Sequence, residues 1–167
     1  MDLKDNWEQI KATFESGIRT SAHCAIATVG ADGYPHITPI GFIFLRDDYS
    51  AFYFEEYTQK LPQNLGHNPR VCLLTVNSGA AFWLAALFNG RFAAPPGVRL
   101  MGVAGERRPA TEQEKSAYRA RVKRFRRLRG YKLIWSDLQH VREIKLESFA
   151  PVAYPKMTDH LWSRPAP

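Results

Sequence analysis

The sequence predicts an α+β domain built round a small antiparallel β-barrel. Three observations carry this. Helical periodicity is confined to the first residues, a short central piece and the stretch after Thr111, whereas β-rich runs fill most of the chain between. Those runs follow one another through short turns, as antiparallel neighbours do. One of them, His36–Leu45, is apolar on both alternating faces, which argues against a sheet with one wet side and for a strand lining a barrel.

The elements follow in order. Asp5–Ser16 places Trp7, Ile10 and Phe14 on one helical face, and Gly17 stands where a C-cap is expected. Ala22–Val29 is a strand, turned by Gly30-Ala31-Asp32-Gly33 into His36–Leu45. Pro39 removes a ladder donor, marking an edge, a bulge or an approach to the backbone. Arg46-Asp47-Asp48 turns into a strand over Ser50–Phe54, and Thr58–Pro62 opens a short helix that Asn68-Pro69 ends. Strands over Arg70–Val76 and Val98–Glu106 flank the apolar run Ala80–Phe88. Thr111-Glu112-Gln113-Glu114 is a capping box opening a helix with Tyr118, Val122, Phe125 and Leu128 in line. His140–Glu147 is the closing strand.

The composition excludes several classes. At 167 residues the chain makes one domain, with 45% hydrophobic residues to fill a core. The apolar run Ala80–Phe88 is about half of what spans a bilayer, so no transmembrane segment is expected. Charges at Asp2, Lys4, Asp5 and Glu8 stand where a signal peptide needs an apolar region. Cys24 and Cys72 form neither a CxxC pair nor a zinc site, and buried free thiols in a reducing cytoplasm are expected. The five histidines show no metal spacing; His36 is the one to watch, two residues from Thr38. No metal site is expected.

Two motifs carry a resemblance. Ala27–Ile40 resembles the first hairpin of the pyridoxamine 5'-phosphate oxidase-like split-barrel flavoproteins, and Lys60–Val71 resembles that family's helix-and-strand motif. The resemblance implies a six-stranded antiparallel split β-barrel with flanking helices, its core over about residues 20–150. It implies a homodimer with FMN in grooves at the interface, although members also use a deazaflavin or haem. Thr38, Pro39 and Ile40 would run beside the isoalloxazine, with Tyr53 and Phe54 near the ribityl phosphate. Thr58, Gln59 and Lys60 would form the phosphate loop, and Arg99 would reach across from the partner subunit. A hydroxyl, a cation and a helix start within five residues suit a phosphate on chemical grounds too. Where the oxidases carry an arginine in the first motif, this chain has Thr38, so pyridoxamine phosphate oxidation is not expected. The ending Trp162–Pro167 is too short in spacing to be the oxidases' substrate-binding end.

The resemblance thus implies an FMN-dependent oxidoreductase or flavin reductase, in which the cofactor performs the electron transfer and no catalytic side chain is named. A rival from another class is a non-catalytic flavin- or nucleic-acid-binding protein using the basic stretch Arg107–Arg129. That stretch carries ten cations and two acids, so it holds +8 of a net +7 and leaves the rest of the chain at −1. Its apolar line must be buried, so a docked helix with a solvated basic face is expected, and nucleic acid is not the expected partner. Ala80–Phe88 is expected as a buried segment or dimer patch, with an aromatic wall of Phe82 or Trp83 as the alternative.

Overall fold

Two residues, Gly41 and Phe42, decide the shape of the sheet. In a computed structural model describing residues 1–135 and 137–162, they separate β2 (Pro35–Ile40) from β3 (Ile43–Leu45). The other strands are β1 (Cys24–Val29), β4 (Ser50–Phe54), β5 (Arg70–Val76), β6 (Gly97–Pro109) and β7 (His140–Pro151). All pair antiparallel in the order β2-β1-β5-β6-β7-β4-β3. Laid flat, the outermost strands of such a sheet would stand about 29 Å apart. The link from Ile40 to Ile43 spans at most about 11 Å. The sheet must therefore curl until its ends meet, leaving a split between β2 and β3.

The strand count is seven rather than six because His36–Leu45 is not one strand. A continuous strand would put Ile40 and Ile43 on opposite faces. The break lets both enter the core, where they are 8% and 1% exposed. Phe42 and Phe44 turn outward against a second, smaller cluster.

The main core fills the curl. Ile26, Leu73, Leu100 and Ile144 meet Trp7, Ile10, Phe14 and Ile18 of the first helix, α1 (Trp7–Ser21). This helix runs past Gly17, which is not its cap. A Cβ on Gly17 would lie 2.5 Å from Thr75 Cβ, so glycine lets the helix lie directly on β5. Ala22, in the left-handed conformation at φ 61°, ends the helix instead. The short helix α2 (Lys60–His67) adds Leu61 and Leu65 to the core. Asn64 Nδ2 donates to Thr28 Oγ1 at 3.0 Å, tying α2 to β1.

Ala80–Phe88 is neither buried within this chain nor a wall over the split; its exposed Leu84, Leu87 and Phe88 are what the dimer-patch expectation calls for. It forms helix α3 (Ala80–Asn89), with only Ala86 buried among its residues and Phe88 92% exposed. Phe82 and Trp83 pack on Phe92, at ring distances of 5.4 and 5.2 Å. Trp83 also meets Tyr154, just before the last helix, α6 (Pro155–Thr158). Cys24 is buried and Cys72 half-buried, both as free thiols, and burial pushes the Cys24 thiol up to about 12. No helix among the described residues is long and apolar enough to cross a membrane.

The basic stretch is a docked helix, shorter than its apolar line suggests. Helix α4 (Glu112–Val122) buries Tyr118 and Val122, then gives way to a 3₁₀ turn and to α5 (Arg129–Ile134), leaving Leu128 exposed. Half of its cations meet acids: Arg107 with Glu56, Arg108 with Glu114 and Glu143, Lys115 and Arg119 with Glu112, and Arg121 with Glu15. The tail Ser163–Pro167 lies outside the described residues.

Gly17→Ala should lower the unfolding free energy by about 2 kcal/mol, because helix and strand must separate to admit the methyl group. Urea denaturation would show this as a lower midpoint at unchanged slope. An unchanged midpoint would mean that the contact with Thr75 is not tight.

Candidate functional site

The split is walled by residues whose positions follow from local rules. In β4 the alternation sends Ala51 and Tyr53 into the main core and leaves Phe54 on the outer side. Helix α4 covers that outer side, with Tyr118 edge-on to Phe54 at 4.8 Å and to Phe42 at 5.9 Å. Burial first, and then the Tyr57 and Tyr131 hydroxyls, push the Tyr118 phenol upward, so it stays neutral as an apolar wall with a donor tip.

What holds α4 in place is Glu114. The expected capping box is present: Thr111 Oγ1 accepts from the Glu114 amide at 3.2 Å, and Glu114 Oε2 accepts from the Thr111 amide at 2.8 Å. Arg108 grips the same carboxylate through two bonds, at 2.7 and 3.0 Å, and Arg46 donates to it as well. Arg46 also reaches Glu143 Oε2 at 2.7 Å. One glutamate thus ties α4 to β6, to β7 and to the turn after β3. Burial would raise its carboxyl, but Arg108 and the Thr111 cap outweigh burial and hold it at about 2.

A groove of about 220 Å³ opens beside this wall, lined by Pro39, Ile40, Phe54, Thr58, Tyr118 and Trp135 together with Gly41, Phe42, Tyr57, Ile134 and Leu138. Tyr57 Oη donates to the Ile134 carbonyl at 3.0 Å, which straps the α4–β7 connection across the opening. Strand β2 is an edge strand, so its outward-facing amides and carbonyls have no ladder partner on this side. Thr58 Oγ1 is buried and has no hydrogen-bond partner. Two residues later α2 begins, its N-cap Gln59 making no side-chain capping bond. Thr58 Oγ1 thus lines the groove, and the Lys60 cation and the first amides of α2, those of Lys60 and Leu61, follow it within three residues; this donor set suits a phosphate.

Of the residues expected from sequence, Pro39, Ile40, Phe54 and Thr58 come together in the groove. Gln59 and Lys60 are exposed at the start of α2. Thr38 is half-buried on the face of β2 that looks inward, 3.3 Å from His36 Nδ1. Tyr53 is buried in the core and donates to Glu55 Oε1 at 2.7 Å; Arg142 clamps that carboxylate at 2.7 and 2.8 Å. Arg99 lies on the outer face of β6, in register with Leu74 and Ala150, and does not line the groove. Tyr57, which could trade places with Gln59 or Lys60 across a one-residue slip of the helix motif, does line the groove, whereas Tyr118 and Trp135 were not anticipated. Tyr118 was visible only as part of a helix's apolar line, and nothing in the spacing showed that this line would face the split. Among the described residues no histidine, cysteine or methionine lines the groove, and no group of three metal-ligating side chains is assembled.

A family model described as pyridoxamine 5'-phosphate oxidase matches residues 10–148. No curated protein matches the chain by sequence. Among solved structures, an FMN-binding protein from Syntrophomonas wolfei subsp. wolfei superposes with a TM-score of 0.60 at 14% identity, covering 90% of each chain. HupZ of Group A Streptococcus gives 0.54 at 18% identity, covering 91% of this chain and 94% of its own. HutZ, the heme storage protein of Vibrio cholerae, gives 0.51 at 14% identity, covering 90% and 95%. At these identities the likeness is one of fold.

Because the Glu114 carboxyl is held below its ordinary 4.5, its stabilising contribution is full above that pH and is lost as the pH falls toward about 2. Glu114→Gln should cost about 2 kcal/mol at pH 7. It should also flatten the acid limb of a stability-versus-pH curve in that window. Parallel curves for the two proteins would remove Glu114 from this role.

Proposed function

We propose that this chain, which belongs to the pyridoxamine 5'-phosphate oxidase family, binds FMN in the split and works as a cytoplasmic oxidoreductase or flavin reductase. The observation that carries the reading is the buried, unpartnered Thr58 Oγ1 at the end of the groove nearest the start of α2. A buried hydroxyl without a partner costs about 1–3 kcal/mol, and a phosphate oxygen there would relieve that cost. Lys60 and the first amides of α2 would supply charge and further donors. The edge of β2 at Thr38–Ile40 would bond the polar rim of the ring system through its backbone. Phe54 and Tyr118 would wall the rings from water. When bound, the isoalloxazine supplies the hydride or electron transfer, and the protein's part is to position it and tune its surroundings.

For a haem, the groove lining offers the Tyr57 and Tyr118 phenols as axial ligands and no imidazole, thiolate or thioether. A deazaflavin would use the same apolar walls, and its absorption spectrum separates it from FMN. The pairing of half the cations in Arg107–Arg129 with acids of this chain counts against a nucleic-acid site there.

The active form in this reading is a homodimer. On the outer face of the curled sheet, Ala25, Ala27, Val29, Ile37, Leu74 and Met101 form an apolar surface with no helix over it, and Ile37 is 67% exposed. An antiparallel face of that composition is normally covered. The accessible surface, 10313 Å², also exceeds the roughly 8,400 Å² that size scaling gives for a compact 19.0 kDa monomer. A second copy seated there would close a groove that in one chain is too small for a whole flavin nucleotide, and it would bring Arg99 into the interface.

Protein titrated with FMN should show the visible bands of a bound flavin. Thr58→Val and Lys60→Ala should each weaken FMN about tenfold while changing riboflavin little. Equal losses for both ligands would take these residues out of the phosphate site, and no binding of any flavin would end the oxidoreductase reading. Ile37→Lys should convert a dimer to a monomer in sedimentation; a wild-type monomer would overturn the paired arrangement.

A further inference from the structure

Next to the groove lies a second cavity, of about 390 Å³, which the flavin reading does not use. It is bounded by the end of α1, by the Gly41-Phe42 link and by the segment after α4. It shares Gly41, Phe42 and Trp135 with the groove, so the two spaces are separated by single side chains. A cavity of this size takes a drug-sized organic molecule.

Its lining is of two kinds. Phe42, Phe125 and Trp135 supply flat apolar surface, with the last two rings 5.2 Å apart and inclined at 42°. Arg19, Arg121 and Arg124 supply positive charge against one acid, Glu15. That acid is already spent: Arg121 holds both its oxygens, at 2.6 and 2.8 Å. Arg19 and Arg124 have no acidic partner among the described residues, and Arg124 lies over the Phe125 ring at 4.6 Å. The cavity therefore combines aromatic walls with two uncompensated guanidinium groups.

We propose that this cavity binds a planar aromatic ligand bearing a carboxylate or phosphate, its rings against the apolar wall that Phe42, Phe125 and Trp135 form and its anionic group at Arg19 and Arg124. Guanidinium forks pair with either oxyanion, and the aromatic walls exclude small inorganic anions as the preferred ligand. Binding itself depends only on this cavity. The further role of such a ligand as the reaction partner of a neighbouring cofactor rests on the flavin reading above.

The test is calorimetric titration of the full chain with 2-naphthoate, 2-naphthyl phosphate and the uncharged 2-naphthamide. One of the two anions should bind at least about tenfold tighter than the amide, and which one does so assigns the carboxylate or the phosphate. Arg19→Gln and Arg124→Gln should each weaken the preferred anion about fivefold and leave the amide unchanged. Equal affinities for anion and amide, or anion binding indifferent to both arginine substitutions, would overturn the proposal. FMN titrated into the same two variants should bind as in the wild type. If FMN fails to bind while the arginine-dependent anion binding persists, the flavin reading falls and this site stands. The reverse result removes this site alone.

Discussion

Everything in this structure depends on a covalent constraint: the two end strands of a seven-stranded sheet are joined by two residues. The energy needed to hold the curl comes from the core inside it, where α1 and the inner faces of the strands meet. The candidate site is a consequence of the same constraint. A sheet that closed completely would pair the edge of β2 with β3 and hide its amides and carbonyls. A flat sheet would leave them facing water. The short link produces a third outcome, an unpaired edge facing a wall of aromatic side chains.

That wall is held electrostatically as much as by packing. Tyr118 sits one turn beyond Glu114, and Glu114 is the common partner of two arginines and a helix cap. Its carboxylate is nearly removed from solvent, which is favourable only because every nearby donor points at it. The same logic holds at Glu55, where Arg142 and Tyr53 meet a carboxylate that is 4% exposed. The large positive charge of the chain is therefore partly internal structure. Part of what is left over, at Arg19 and Arg124, stands beside the second cavity.

The elements were largely legible in order. Ser50–Phe54 and Arg70–Val76 occupy the residues their composition marks, because alternating β-branched and aromatic residues have few other ways to bury themselves. Errors arose where a local signal met a tertiary use. Gly17 looks like a helix end and is instead the contact that lets α1 touch Thr75. Gly41-Phe42 looks like the middle of a strand and is the break that divides it. Within the site, Pro39, Ile40, Phe54 and Thr58 were legible through the hairpin and helix motifs that flank them. Tyr118 and Trp135 were not, because each reaches the groove from an element whose docking no local pattern encodes.

By itself, then, the sequence determined the α+β class, the antiparallel strand order along the chain, the capping box and the position of the phosphate-loop candidates. These rest on periodicity and on short motifs, which act over a few residues. Only the tertiary structure decided that Tyr53 belongs to the core, that Arg99 faces outward away from the groove, and that Thr58 is buried without a partner. It alone placed the basic stretch next to Phe42 and set two cavities side by side. Those outcomes depend on how a curled sheet brings together residues about 80 positions apart, a distance over which sequence pattern carries no signal.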